Sequence, residues 1–292
     1  MTEETKPSSR WSSLATYKYK IGFGALLALT GLMLSVAFFC DCEPEVFDVK
    51  QAALKLGDPN PEKQVPGVVT TAALVNVVED ILTKRCGYLA NDKTPPFVFM
   101  DNVPNWEWGV VVQVRDLARF MRNDFSRSQS QSLEDPDLAV ADPQFNVDHS
   151  SWMVPSAEGE YETGVRHLKS YFKRLQDRSN PEARFFARSD SLQDYLGTVA
   201  RRLGDLAQRL GNSVGEGAPA IPKVPVAENG QSPQPAGDRP LTPAPAPNTP
   251  MGRTPWYQVD DIFYEARGAS WALLHFLRAI EIDFKQILEN KH

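Results

Sequence analysis

The chain has 292 residues, a formal net charge of −6 and three cysteines. The acidic balance argues against a surface that tracks nucleic-acid phosphates, so no nucleic-acid partner is expected. Three cysteines exclude a disulfide-dense scaffold, and the length accommodates one large domain or two smaller ones with a linker.

Residues 1–20 read as a polar cytoplasmic tail. Residues 21–40, IGFGALLALTGLMLSVAFFC, then carry no charge and no proline. That is the length, about 20 residues, that takes a helix across a bilayer core. A soluble helix of this length would keep a polar face. Arg10, Lys18 and Lys20 precede the run, with Lys6 further back, while Asp41, Glu43, Glu45 and Asp48 follow it. The positive flank stays cytoplasmic, which places the N-terminus inside and the bulk outside. Trp11, Tyr17 and Tyr19 sit where interfacial aromatics belong. Phe38 and Phe39 ahead of Cys40 make a poor signal-peptidase exit, so an uncleaved anchor is expected. Gly24 and Ala28 form a small-xxx-small pair through which a second membrane helix could approach; such pairs also arise by chance.

Residues 41–66, with Pro44, Pro59, Pro61 and Pro66, read as an extended stalk. Residues 67–211 read as a helical domain. Leu74, Val78, Ile81, Leu82 and Leu89 recur near helical spacing and predict a helix over 70–89, with Pro95 and Pro96 breaking the chain beyond it. Residues 105–126 contain strand-preferring valines, but Val110, Val114, Leu117, Met121 and Phe125 share one helical face, and a helix is expected. Residues 126–132 form a polar loop or a frayed helix end. An irregular stretch then gathers Glu134, Asp135, Asp137, Asp142 and Asp148. Ser156 caps a predicted helix to Asp177, with Tyr161, Val165, Leu168, Phe172 and Leu175 as its apolar stripe. Ser191 and Asp194 open another, which Gly211 ends.

Residues 212–255 are dominated by proline and alanine and read as a disordered, partly polyproline-II linker. Residues 256–292 form a long C-terminal helix, packing on the helical domain through Val259, Phe263, Ala266, Leu273, Leu277, Ile280, Phe284 and Ile287. The fold class is therefore mainly α: an N-terminal transmembrane helix plus a periplasmic antiparallel helical bundle interrupted by the Pro-rich linker.

Chemistry is scarce in the sequence. It lacks the nucleophile-elbow, zincin and phosphate-loop motifs, and His149, His167, His275 and His292 do not pair at metal-ligand spacing. No catalytic, metal or cofactor residues are assigned and no cofactor is expected; His275 reads as a satisfied core residue. Arg115, Arg119 and Arg122, at steps of four and three on one helix face, are candidates for gripping an anionic partner, against the plainer reading of a salt-bridged face. The acidic cluster offers carboxylates for glycoside chemistry, or a solvated loop. Outside the cytoplasm Cys42 and Cys86 could pair, leaving Cys40 at the membrane boundary; otherwise all three are thiols.

The segments WGVVVQVRDL at 108–117, FSRSQSQSLEDPDL at 125–138, SWMVPSAE at 151–158 and FYEARGASWALLH at 263–275 resemble the domain of unknown function 2333 family of proteobacterial membrane proteins. The resemblance spans residues 20–290. It implies an inner-membrane protein of a Gram-negative cell facing the periplasm, and brings no catalytic residues with it. It also implies relatives that extend past the last helix, so that a C-terminal piece would be missing here. The expectation is a non-enzymatic interaction or scaffolding module of the envelope, with the lipid bilayer and an envelope protein or a second copy as partners. The alternatives are a cell-wall or lipid hydrolase using the acidic cluster, and a lipid-handling module with an apolar cavity.

Overall fold

The computed structural model describes residues 9–57, 65–128, 133–177, 183–214, 255 and 258–289. Regular structure among them is helical throughout, without a strand. In chain order the helices are α1 (Ser9–Cys40), α2 (Val49–Leu56), α3 (Val68–Thr83), α4 (Asn102–Phe120), α5 (Pro136–Phe145), α6 (Ala157–Gln176), α7 (Ser189–Val214), α8 (Val259–Asp283) and α9 (Lys285–Glu289). A 3-10 turn at Phe97–Phe99 precedes α4, and a π turn at Met121–Phe125 prolongs it. The tail before residue 9, Pro59, Pro61 and nearly all of the Pro-rich segment lie outside the described residues.

Helix α3 is the centre of the body. Its sequence, VVTTAALVNVVEDILT, is apolar almost all round, and residues from Val68 to Val75 are buried without a break. Such a helix must be enclosed by others, and α2, α4, α6 and α8 surround it. Its N-terminus has no capping side chain of its own, because Gly67 stands there with φ 90°. The Asp283 carboxylate supplies the acceptor from the end of α8, taking the Thr70 N–H and hydroxyl, each at 2.7 Å. Burial pushes this carboxyl up to about 6, against the α3 donors that lower it.

Side-chain pairs fix the helix directions. Asp137 meets Arg174 and Phe145 meets Tyr161, so α6 runs opposite to α5; Glu79 meets Lys169, and Tyr88, just past the end of α3, meets Tyr161, so α6 runs opposite to α3 as well. Arg202 meets Asp116 and Tyr195 meets Phe120, so α7 runs opposite to α4. The pair α4 and α8 departs from the antiparallel expectation. Asn105 bonds Asp261 at their starts, and Phe125 meets Phe284 at their ends, which makes them parallel. Their backbones nearly touch: a Cβ on Gly109 would fall 2.0 Å from the Glu265 carbonyl oxygen, and one on Gly268 would fall 2.0 Å from that of Trp106. A direct loop cannot join parallel neighbours, so the chain between them makes the excursion through α5, α6, α7 and the Pro-rich segment.

Several boundaries differ from the sequence expectation. The stalk is not free: residues 41–48 lie along α8, where Glu43 pairs with Arg267 and Phe47 stacks on His275 at 4.0 Å. Asp48 then caps α2, which packs on α3. Helix α3 stops at Thr83, and Leu89 is buried in a loop instead. The acidic stretch is largely a helix, α5, because Asp135 caps it and Pro136 opens it. Helix α7 passes through Gly211 to Val214. Helix α6, with its Ser156 cap and Asp177 end, lies where its stripe predicts.

Candidate functional site

The most distinctive constellation lies where α1 meets the helical body. Met33, Val36, Ala37 and Cys40 are the residues of 17–40 that are not exposed. They fall on one helix face, and Met33 sits about 10 Å from Cys40 along the axis at about 1.5 Å per residue. Cys40, Leu89 and Val103 form a buried cluster, against which Val36, Phe97 and Met100 pack. The body therefore reaches down alongside two turns of an otherwise bare apolar helix.

A disulfide locks this junction. Cys40 is bonded to Cys86, with Cα atoms 5.6 Å apart, and Cys42 is the free, partly exposed thiol. Of the two alternatives, a Cys42–Cys86 bridge or three thiols, neither holds: the pair is Cys40–Cys86. Cys40 ends the covered face of α1, whereas Cys42 has already left the helix. Cys86 and Gly87 both take left-handed backbone conformations, φ 66° and 71°, and reverse the chain directly after α3. Arg85, beside them, lies over the Phe39 ring at 5.1 Å.

Behind the disulfide a buried ion pair holds the loop to α4. Lys84 Nζ is 2.8 Å from Glu107 Oε1, and both side chains are almost wholly enclosed. Glu107 also accepts the N–H groups of Leu89 and Ala90, at 2.9 and 2.7 Å. Burial pushes its carboxyl up to about 7, with the lysine and the two backbone donors pulling the other way. Lys84 further donates to the Gly87 carbonyl. Neighbouring contacts join this loop to the connection between α5 and α6: Tyr88 donates to the His149 carbonyl, and Asn91 to that of Ser151. The sequence reading leaves Cys40 unpaired at the membrane boundary, turns Lys84 to the polar face of its helix and does not single out Glu107. One signal was there for Glu107, a carboxylate on the same stripe as Val103, Val110 and Val114.

The arginine trio does not converge on one ligand surface. Arg115 donates to the Phe145 and Val147 carbonyls at 2.6 and 2.7 Å and lies over Trp108 at 4.8 Å, so it closes the end of α5. Arg122 pairs with Glu134 and Asp142. Arg119 is exposed on the other side, on the rim of a shallow depression shared with Arg201 and Arg202 of α7. The α4 stripe is split because α5 packs on one side of it and α7 on the other. The same pairing takes up the acidic cluster: Asp135 and Asp137 both hold Arg174, and Asp137 also meets His167 at 3.0 Å.

His275 is a satisfied core residue. Its Nε2 accepts the Phe47 N–H at 3.1 Å and its Nδ1 faces the Trp271 carbonyl at 2.8 Å, partners that assign a neutral ring with the proton on Nδ1. Burial lowers its pKa accordingly. His149, wedged against Trp108 at 4.2 Å, is lowered to about 4 by burial and then by the Arg115 charge. Among the described residues no group of three His, Cys, Asp or Glu side chains is placed to hold a metal ion. Gly24 and Ala28 lie on the bare part of α1, with nothing near Gly24.

A family model described as "uncharacterized protein conserved in bacteria", the domain of unknown function 2333, matches residues 14–292, and the chain belongs to that family. No curated protein and no solved structure matches it.

Proposed function

We infer from this family membership and from the junction geometry that the protein is a single-pass inner-membrane protein, its N-terminus cytoplasmic and its helical body periplasmic. It acts there as a non-enzymatic interaction or scaffolding module of the envelope. One helix, Tyr17–Cys40, is long and apolar enough to cross a membrane, and the charge flanks set its direction. The observation that carries the reading is the union of anchor and body. A disulfide, a covered helix face and a strap along α8 make α1 part of the folded unit, which suits a module that must present a surface at a fixed height.

Four of the five carboxylates of the acidic cluster, Glu134, Asp135, Asp137 and Asp142, are engaged in ion pairs with Arg122 and Arg174 rather than facing one another across a cleft, which supports the non-enzymatic reading. Its partner is an envelope protein or a second copy of the chain. In vivo crosslinking followed by pull-down of the full-length protein from its own membrane tests this. A reproducible envelope partner or a dimer is the expected result. Turnover of peptidoglycan or of a lipid by the purified full-length protein would overturn it. Labelling of Cys42 by a membrane-impermeant maleimide in spheroplasts, without labelling in inside-out vesicles, is the expected sign of the orientation.

A further inference from the structure

Two loops at the α1 end of the body carry large apolar side chains into the open. The first follows the disulfide loop: Phe99 is 79% exposed and Val98 48%, while their neighbours Phe97 and Met100 pack against the Cys40 cluster. The second precedes α6: Trp152 and Met153 are each 62% exposed, and Val154 is wholly so. Asn91 ties the loops together through its bond to the Ser151 carbonyl. They therefore project from the same end of the body, beside a helix whose covered face runs about 10 Å back from Cys40.

We propose that Phe97–Met100 and Trp152–Val154 are membrane-inserting tips, which seat the body on the outer surface of the bilayer that α1 crosses. The proposal rests on the anchor reading above. If residues 21–40 fill a hydrocarbon core about 30 Å thick, Met33 and Val36 lie inside it. Whatever covers that helix face reaches the same depth, and Phe97 and Met100 pack at its upper edge. Aromatic and branched side chains at that level gain by leaving water, and tryptophan is favoured at the interface itself. Asp92, Asp101 and Asp148 lie close in the chain to the tips and outnumber Lys93 beside them, so the contact depends on apolar burial and not on attraction to anionic headgroups. A few exposed side chains would not hold a soluble protein to a membrane, but here α1 has already brought them to the surface. They set tilt and height rather than affinity.

The test uses the full-length protein in phosphatidylcholine nanodiscs, with p-benzoylphenylalanine placed in turn at Leu27, Phe99, Met153 and Leu133. Leu133 is an exposed apolar residue at the opposite end of the body, and formation of the Cys40–Cys86 bond checks each variant's fold. Lipid adducts are expected at Leu27, Phe99 and Met153, about tenfold above Leu133. Their yield should not change as salt is raised. Adducts at Leu27 without those at Phe99 and Met153, or with only one of them, overturn the seating and leave the anchor reading intact. Failure at Leu27 overturns the anchor reading and the seating with it. Adducts to a second protein chain in place of lipid at the two tips also overturn the seating.

Discussion

At the residue scale, the chemistry of the junction is that of enclosed charge. Lys84 and Glu107 neutralise one another where neither can reach water, and removing one partner leaves the other stranded. Lys84→Met is expected to cost about 3–5 kcal/mol, read from urea unfolding. Glu107, Asp283 and Asp80 are all raised, to about 7, 6 and 6, with burial the largest cause in each. A carboxyl whose folded value is raised binds its proton more tightly folded than unfolded. Its contribution is complete below the unfolded value and is lost as pH rises through the folded one. Stability should therefore decline from about pH 4 to pH 7 on account of these groups. Asp283→Asn, which keeps an oxygen for Thr70 but cannot titrate, should flatten that decline in denaturant midpoints measured across the range. His275 was readable from sequence because a histidine inside an apolar stripe needs local partners. The Lys84–Glu107 pair was not, since the two residues are far apart in sequence and each resembles an ordinary surface charge. The cysteine pairing turned on two residues of register at a helix end, which periodicity cannot resolve.

At the element scale, legibility followed how much of each helix is buried. Helix α6 has a buried stripe, a serine cap and an opposite polar face, and its limits could be read from the sequence. Helix α5 hid behind five carboxylates because its short apolar set, Leu138, Ala141 and Phe145, is too brief for a periodic signal. Helix α3, buried on nearly every side, has little periodicity to follow at its ends. The parallel α4–α8 crossing depends on Gly109 and Gly268, whose missing side chains let two backbones meet. Gly268→Val should separate the helices and cost at least about 3 kcal/mol, seen as a lowered Tm or as loss of soluble folded protein. Gly197→Ala on α7, where the nearest side-chain atom is 3.7 Å away, should cost little by the same measure.

On the scale of the whole molecule, the helices divide into two directions, and that division positions the functional surfaces. The ends of α3, α5 and α7 and the starts of α4, α6 and α8 share the α1 side of the body. Helices α7 and α8 also meet there, through Arg209 and Glu265. A short connection could therefore join them. Replacing residues 215–257 with about ten Gly/Ser residues should preserve the fold and stabilise it by about 1 kcal/mol, since each halving of loop length recovers about 0.6 kcal/mol. Calorimetry of the two forms checks this. The linker's composition was plain in the sequence, but the parallel pairing of α4 with α8 was not, because helix direction is decided by contacts between distant segments.

The bond between Cys40 and Cys86 reaches beyond architecture. Thiols at these positions oxidise only on the side of the membrane where oxidants prevail. In the proposed orientation both cysteines lie outside the cytosol; a chain inserted the other way round would hold them reduced, with α1 no longer tied covalently to the loop after α3. By the chain-entropy model, the missing link across a separation of 46 residues would forgo about 4 kcal/mol. If the chain crosses the membrane in the proposed orientation, insertion with the body on the oxidising side is then the condition for full stability.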